Sequence, residues 1–248
     1  MRIGIFAAED IGFETVRYFS QNNKKIVCIV IDSKDTHGVN RKIINEAHCK
    51  NVVYSDKLYD TNIITMLKSL DIDMIILAWW PYIIKKELFD ITKNGFLNMH
   101  PSYLPYNRGK HYYFWNLVEN NTYGVTLHFI DKDIDSGDIA FQTIIETTWE
   151  DTGNTIRQKG KTSMLELFKK NFEQIVIGNI PRKKQNLEQG TYHWGYEINE
   201  ASKIDLDKKI TGRELINIIR GRSGFPTGGA WFIDNGEKYE MSITIKKV

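Results

Sequence analysis

Three side chains in the middle of the chain have the types and spacing needed for acyl transfer. Asn98 and His100 are two residues apart at the end of an apolar segment, so in a strand their side chains point to the same face. Asp135 follows in the turn segment DIDSGD, where Gly137 supplies backbone freedom. An amide can bind a developing oxyanion, an imidazole can move protons, and a carboxylate can orient the imidazole or a water. A serine or cysteine nucleophile is not needed if an amine attacks the acyl carbon directly.

Each of these residues also has a purely structural interpretation. An asparagine at a strand end often ties down a loop, and a histidine there is often hydrogen-bonded within the fold. A calcium loop beginning at Asp131 would need glutamate at its twelfth position, which is Gln142, so calcium is disfavoured. We expect no metal site, because none of the six histidines forms a ligand pair at metal-binding spacing.

The first part of the chain alternates the patterns of strands and helices. Strands are predicted at Arg2–Ala7, Lys25–Asp32, Asn51–Ser55, Asp73–Trp79 and Phe96–His100. Helices are predicted at Gly12–Gln21, Arg41–Lys50, Thr61–Leu70 and Lys85–Thr92. The short, nearly continuous apolar strands are typical of a parallel sheet covered on both faces. The fold class is therefore α/β, a doubly wound, mostly parallel sheet whose ligands bind beyond the carboxyl ends of the strands.

The pattern changes in the second part. A helix over 111–120, strands over 123–130 and 138–146, and one long helix over 151–178 are predicted. Asp151 or Thr152 could cap the long helix. Its core-facing stripe is Met164, Leu165, Phe168, Phe172, Ile175 and Val176. The proline and basic residues after 180 mark a boundary, so we predict a domain over 1–180 and a small α+β C-terminal subdomain over 181–248.

Composition limits the classes of function. The chain has 248 residues, of which 42% are hydrophobic and 26% charged, and its formal net charge is +2. No nucleic-acid binding is expected from so balanced a charge. The two cysteines give no disulfide framework. No apolar segment predicts a membrane span and the N-terminus runs directly into a strand pattern, so we expect a cytoplasmic protein.

The segment N-x-H-P-S-x-L-P-x-x-x-G begins at Asn98, and D-x-D-S-G-D follows about 35 residues later. Together they resemble the signature of folate-dependent formyltransferases, which include glycinamide ribonucleotide, methionyl-tRNA and sugar N-formyltransferases. The resemblance covers roughly residues 1–180 and implies a Rossmann-like formyltransferase core. It places the family's catalytic residues on Asn98, His100 and Asp135, and it implies N10-formyltetrahydrofolate as the formyl donor, without a metal.

The same resemblance implies a folate pocket. The segment LAWWPYII follows the fourth predicted strand, and in relatives this stretch contacts the pterin largely through backbone groups. The pocket would be lined by Trp80, Tyr82, Ile83 and Ile84, with the loop beginning at Asp131 opposite. A core position for the tryptophans is the structural alternative, and it is favoured for Trp79.

Three family branches differ in the amine that receives the formyl group. The segment AAEDIG after the first strand lacks the Gly/Ser-rich phosphate loop of the glycinamide ribonucleotide branch. The methionyl-tRNA branch carries a longer, basic C-terminal domain and stays as an alternative. The sugar branch fits best, and its preferred acceptor here is dTDP-4-amino-4,6-dideoxyglucose. Two further possibilities are a non-catalytic module that binds folate or a nucleotide sugar, and a hydrolase that releases formate.

The sugar branch implies further binding residues. In the loop YNRGKH, Tyr106, Asn107, Arg108 and Lys110 would contact the nucleotide sugar, the two cations at its diphosphate. Phe225 in the Gly/Pro-rich turn could stack on the nucleobase. The segment GTYHWGYEINEASKIDL is less basic than in relatives, a departure that puts the C-terminal contacts in question. A homodimer, and a role in O-antigen, lipopolysaccharide or other surface polysaccharide synthesis, follow by the same analogy.

Overall fold

The computed structural model describes residues 1–248. The strands, in chain order, are β1 (Ile3–Ala7), β2 (Ile26–Ile31), β3 (Val52–Tyr54), β4 (Met74–Ala78), β5 (Phe96–His100), β6 (Arg108–Gly109), β7 (Gly124–Phe129), β8 (Ile139–Ile144), β9 (Tyr192–His193), β10 (Ala230–Asp234) and β11 (Glu237–Met241). The α-helices are α1 (Glu9–Gln21), α2 (Asn40–Ala47), α3 (Thr61–Ser69), α4 (Tyr112–Glu119), α5 (Gly153–Lys170), α6 (Phe172–Ile177), α7 (Glu197–Ala201) and α8 (Gly212–Arg222). Short 3₁₀ helices lie at Ser55–Lys57, Lys86–Ile91 and Leu187–Gln189.

Seven strands form one mixed sheet in the order β3-β2-β1-β4-β5-β7-β8. β1 pairs in parallel with β2 and β4, and β3 and β5 continue the parallel pairing on either side. β7 then joins β5 in the antiparallel direction. The predicted mostly parallel α/β sheet is thus confirmed, and the C-terminal part contains the antiparallel hairpin of β10 and β11.

The apolar strands are buried as their sequences predict. All five residues of β1 and all five of β4 are buried, which requires cover on both faces of the sheet. One face of the sheet is covered by an aromatic cluster, which is formed by Tyr18 and Phe19 of α1 with Phe168 and Phe172. The rings of Phe19 and Phe172 meet edge to face at 4.9 Å, the geometry that aromatic pairs prefer. The helical stripe predicted for this segment is therefore core except at Leu165, which is only partly buried.

Two elements differ from their predictions. The long helix predicted over 151–178 is divided at Asn171, whose side chain donates to the Leu167 carbonyl at 2.8 Å and competes with the helical backbone. Thr152 caps its start, because the Thr155 backbone N–H donates to the Thr152 hydroxyl. The segment predicted as a helix over Lys85–Thr92 is a 3₁₀ helix at Lys86–Ile91, in which Leu88 and Ile91 are buried three residues apart.

The chain forms two compact units. The first contains residues 1–100, 126–142 and 164–185, and the second contains residues 101–125, 143–163 and 186–248. Within the second unit, α8 begins with a reciprocal capping box between Thr211 and Glu214. The predicted domain boundary between residues 180 and 181 stays a prediction. No helix combines the length and apolar character needed to cross a bilayer.

The aromatic cluster predicts a site-specific effect on stability. Replacing fully buried Phe168 with alanine leaves a cavity among Tyr18, Phe19 and Phe172. We expect the free energy of unfolding to fall by about 3–5 kcal/mol, measured by urea unfolding. Ile177→Ala is the control, because that side chain is 66% exposed and its loss should cost about 0.5 kcal/mol or less. Equal effects of the two substitutions would contradict the assignment of this cluster to the core.

Candidate active site

The candidate site is built on the antiparallel pair of β5 and β7. Asn98 lies directly opposite His128, and His100 lies opposite Thr126. Opposed residues of an antiparallel pair project from the same face of the sheet. The polar side chains at alternate positions of both strands are therefore collected on one face, at the carboxyl end of β5, as the spacing of Asn98 and His100 predicts.

Hydrogen bonds define the orientation of Asn98. The His128 ring is completely buried, and its Nδ1 lies 2.9 Å from the Phe129 carbonyl oxygen. A carbonyl only accepts, so Nδ1 carries the proton in the neutral ring and Nε2 is an acceptor. The Asn98 Nδ2 lies 3.1 Å from that Nε2 and donates to it. The amide is thereby held with its nitrogen toward His128, and its second N–H bond can serve another acceptor.

Asp135 faces both imidazoles. Its Oδ2 lies 3.4 Å from His100 Nδ1, and its Oδ1 lies 3.5 Å from His128 Nε2. The His100 and Asp135 side chains are nearly buried, with 6% and 11% exposed. Asp135 has a φ of +52°, a conformation in which L residues are uncommon. The structure thus brings together the three residues whose types suggested acyl transfer.

Gly137 explains how the Asp135 loop can return so closely to the sheet. A Cβ atom at this position would collide with the Phe129 carbonyl oxygen and would lie 3.3 Å from the Asp131 nitrogen. The Phe129 N–H also donates to the Asp138 carbonyl at 2.9 Å. Only glycine fits this close backbone approach, so the glycine of DIDSGD has a steric role as well as a conformational one.

His128 is the residue of this group that the sequence analysis missed. It comes from neither motif, and its contribution depends on the antiparallel pairing with β5. The available signal was the alternation of Thr126 and His128 within the otherwise apolar β7. The ligand-type atoms of His100, His128 and Asp135 all lie within 4.8 Å of one another, so these are the residues that could hold a metal ion. The expectation that no metal is used stays a prediction.

The candidate folate residues fall into two groups, all in the first unit. Trp80 and Ile84 belong to the buried core, where the Trp80 ring meets Phe6 at 5.3 Å. Tyr82 and Ile83 are 38% and 68% exposed. Tyr82 donates its hydroxyl hydrogen to Asp32 Oδ1 at 2.7 Å, which attaches this segment to the end of β2.

Asp131, the fifth candidate folate residue, is exposed at the start of the loop that carries Asp135. Its Oδ1 accepts from the Lys132 backbone N–H at 2.7 Å, a short local bond of the kind that shapes turns.

The candidate acceptor residues lie in the second unit. Arg108 is in β6, which pairs in parallel with β9, and its guanidinium lies 5.9 Å from the Tyr192 ring. Lys110 is exposed, and its backbone N–H donates to the His193 carbonyl. The segment predicted as a loop thus contains one strand of a two-stranded ribbon.

The remaining three acceptor candidates are less exposed. Asn107 is buried, and its backbone N–H donates to the Thr191 hydroxyl at 2.9 Å. Tyr106 is half-buried. Phe225 is also half-buried, with its ring 4.9 Å from that of Tyr113. Of this set, Lys110 is the one that the structure leaves largely in solvent.

Two family models match the chain. The model described as formyl transferase matches residues 5–170, which include all three motif residues. The model described as the N-formyltransferase dimerization C-terminal domain matches residues 197–247, which include β10 and β11.

Individual relatives, found by sequence and by structure, are also formyltransferases. Methionyl-tRNA formyltransferase of Clostridioides difficile (strain 630) is 28% identical over 243 residues, covering 94% of this chain and 77% of that protein. A 4-N formyltransferase from Francisella tularensis has the same fold, with a TM-score of 0.82 at 23% identity over 100% of this chain and 98% of that one. The Helicobacter canadensis N-formyltransferase, in complex with folinic acid and dTDP-3-aminofucose, gives a TM-score of 0.71 at 25% identity over 89% and 80%.

The contact between Tyr82 and Asp32 has a measurable electrostatic consequence. The hydrogen bond to the Asp32 carboxylate raises the pKa of the Tyr82 phenol, because it stabilises the protonated hydroxyl, and burial and the negative charge add to this. Asp32→Ala should lower the Tyr82 pKa toward its ordinary value. The titration can be followed by NMR of ¹³C-labelled tyrosine, with Tyr82→Phe to assign the signal. Asp71→Ala is the control, at an exposed carboxylate that pairs with Lys93, and it should leave the Tyr82 pKa unchanged. An unchanged Tyr82 pKa in Asp32→Ala would refute the contact.

Proposed function

Because the chain belongs to the formyl transferase family, we propose that it transfers a formyl group from N10-formyltetrahydrofolate to the amine of a nucleoside-diphosphate-linked amino-dideoxy sugar. The observation that carries the proposal is the group formed by Asn98, His100 and Asp135 at the end of β5. An oxyanion donor, a proton-transfer group and an orienting carboxylate are thereby joined within one unit. A module that only binds folate or a nucleotide sugar would have no use for all three.

The reaction needs one bond to form and one to break. The neutral amine nitrogen bonds to the formyl carbon, and negative charge collects on the formyl oxygen. The bond from that carbon to N10 of the folate then breaks, the carbonyl re-forms, and the proton lost by the amine is passed to N10. The products are the formamido sugar and tetrahydrofolate. Catalysis therefore requires a donor for the oxygen and a carrier for the proton.

Asn98 supplies the donor in this proposal. Its Nδ2 already donates to His128 Nε2, so the amide is oriented before the substrate binds. The remaining N–H bond then serves the formyl oxygen as its charge develops. A preoriented dipole costs no reorganisation when the charge appears, and this is why such donors have large effects on rate.

His100 and Asp135 transfer the amine proton in this proposal. The carboxylate beside Nδ1 of His100 favours a proton on that nitrogen and stabilises the imidazolium when it forms. Nε2, on the other side of the ring, then takes the amine proton. The alternative proton acceptor is a water ordered by Asp135. The same proton is later delivered to the folate nitrogen. The near burial of both side chains strengthens their interaction.

The choice of a sugar amine rests on the C-terminal match and on one relative. Residues 197–247 match a C-terminal domain of N-formyltransferases, and the Helicobacter canadensis enzyme was solved with folinic acid and dTDP-3-aminofucose. Arg108 and Lys110 could neutralise a diphosphate, with Tyr106, Asn107 and Phe225 as further contacts. For the donor we propose contacts from Trp80, Tyr82, Ile83 and Ile84 and from the loop beginning at Asp131. Trp80 and Ile84 would act mainly by shaping the slot, since both belong to the core.

The C-terminal match also supports a homodimer formed through residues 197–247. We propose that the formylated sugar is used for an O-antigen, a lipopolysaccharide or another surface polysaccharide, and that the transfer takes place in the cytoplasm. These are extensions of the sugar assignment and depend on it.

Methionyl-tRNA is the alternative acceptor, favoured by the similarity to the Clostridioides difficile enzyme. Binding of tRNA depends strongly on contacts between cations and phosphates. The chain has 33 Lys and Arg against 31 Asp and Glu. Because positive and negative charges are nearly equal in number, the composition favours a small acceptor with two phosphates over a polyanion such as tRNA.

A panel of acceptors tests the proposal. The protein is incubated with N10-formyltetrahydrofolate and dTDP-4-amino-4,6-dideoxyglucose, GDP-perosamine or methionyl-tRNA. Tetrahydrofolate release and the mass of the acceptor are followed. We expect a formyl mass increment on one nucleotide sugar. Formylation of methionyl-tRNA alone would replace the sugar assignment, and formate release without any acceptor would indicate a hydrolase.

Asn98→Ala tests the mechanism on the acceptor that the panel identifies. Loss of one oxyanion donor should lower turnover by about 10²–10³-fold. Asn62→Ala, at an exposed position of α3, is the matched control and should keep turnover. Full activity in Asn98→Ala would remove this residue from the mechanism while leaving the substrate assignment intact.

A further inference from the structure

The position of the Asp135 carboxylate depends on a left-handed backbone conformation. Asp135 lies on the loop between β7 and β8, with a φ of +52°. This conformation is uncommon for residues other than glycine, although Asp and Asn adopt it more readily than most. The contacts with His100 and His128 at 3.4 and 3.5 Å depend on that backbone. Any contact that fixes the backbone of this loop therefore also fixes the carboxylate.

The Gln185 side chain provides two hydrogen bonds to this loop. Its Nε2 donates to the Asp135 carbonyl at 2.9 Å and to the Gly137 carbonyl at 2.6 Å. A primary amide has two N–H bonds, so both can be used at once. One accepting carbonyl belongs to Asp135 itself, and the other belongs to Gly137 in the same turn. Gln185 thus holds the loop from a position 50 residues after Asp135 and 48 residues after Gly137.

The segment before Gln185 is attached firmly to the same sheet edge. Lys183 exchanges both backbone hydrogen bonds with Ile139 of β8, at 2.8 and 2.9 Å. The Arg182 guanidinium lies 3.4 Å from the centre of the Phe129 ring, a cation–π contact. A side chain that starts from so fixed a backbone can hold a loop in a defined position.

We propose that Gln185 is a positioning residue that keeps the Asp135 carboxylate facing His100 and His128. It acts through the backbone of the Asp135 loop, since its own hydrogen bonds go to carbonyl groups. A change at Gln185 is then expected to alter the environment of His100 and His128, because it moves the Asp135 carboxylate that faces both rings. The consequence for turnover rests on the proposed formyl transfer. The consequence for the geometry of the two histidines does not.

A double-mutant cycle distinguishes positioning from general support of the fold. Gln185→Glu keeps the size of the side chain and removes both donors, and Gln185→Ala removes the side chain. In the wild-type background each should lower kcat by about 10–100-fold, the range seen when an outer residue orients a functional one. The KM values should change by less than about threefold. On an Asp135→Asn background the same substitutions should lower kcat by less than about threefold, since the residue being positioned is already disabled.

Lys184→Ala is the matched control. It lies next to Gln185 and pairs with Asp138 at 3.1 Å, yet its side chain is 89% exposed. Its kcat should stay within about twofold of wild type, since an exposed ion pair contributes little. Equal losses of kcat for Gln185→Ala in the two backgrounds would overturn the proposal and leave Gln185 a structural residue.

NMR of ¹⁵N-labelled histidine side chains gives a readout that needs no substrate. Asp135→Asn identifies the signals of the two rings that sense the carboxylate. Gln185→Glu and Gln185→Ala should shift the same signals, and Lys184→Ala should leave them in place. Unchanged histidine signals in the Gln185 variants would overturn the proposal whatever the acceptor is. Shifted signals in a protein that formylates no sugar would uphold it and reject the sugar assignment instead.

Discussion

The antiparallel pairing of β5 and β7 is the constraint on which the candidate site depends. Up to β5 the sheet is parallel, and in such sheets ligands bind beyond the carboxyl ends of the strands. The reversal at β7 places His128 directly opposite Asn98 and returns the following loop to His100. Since side chains alternate with a period of two, a slip of β7 by one residue would turn Thr126 and His128 to the other face.

That pairing also lets a buried sheet accept polar groups. His128 is fully buried, and an unsatisfied imidazole there would be costly. Its Nδ1–H donates a hydrogen bond to the Phe129 carbonyl, and its Nε2 accepts one from Asn98. The hydrogen bonds that satisfy the buried ring therefore also orient the Asn98 amide. Stability and preorganisation come here from the same bonds. The loop that carries Asp135 is held by the close approach of Gly137 to Phe129 and by the hydrogen bonds from the Gln185 amide.

Local patterns were enough to predict the central strands and the shared face of Asn98 and His100, because both follow from periodicity along one segment. They did not predict His128 or Gln185. His128 depends on which strands become neighbours, and Gln185 reaches carbonyls 48 and 50 residues earlier. The break at Asn171 was missed for a related reason: the apolar stripe continues through it, and only the side-chain bond to the Leu167 carbonyl interrupts the helix.

The two kinds of candidate residue lie in different units. The groups proposed for formyl transfer are all in the first unit, held by the sheet and its edge. The groups proposed for the acceptor are in the second, in short ribbons and turns. Regular strands fix side chains within narrow limits, whereas connecting segments tolerate change. Tyr106 follows His100 closely in the sequence, so the two sets differ in the unit that holds them and not in their distance along the chain. The segments of the second unit can therefore vary while the strands that hold the transfer groups are kept, which is one physical reason why enzymes of one fold can act on different acceptors.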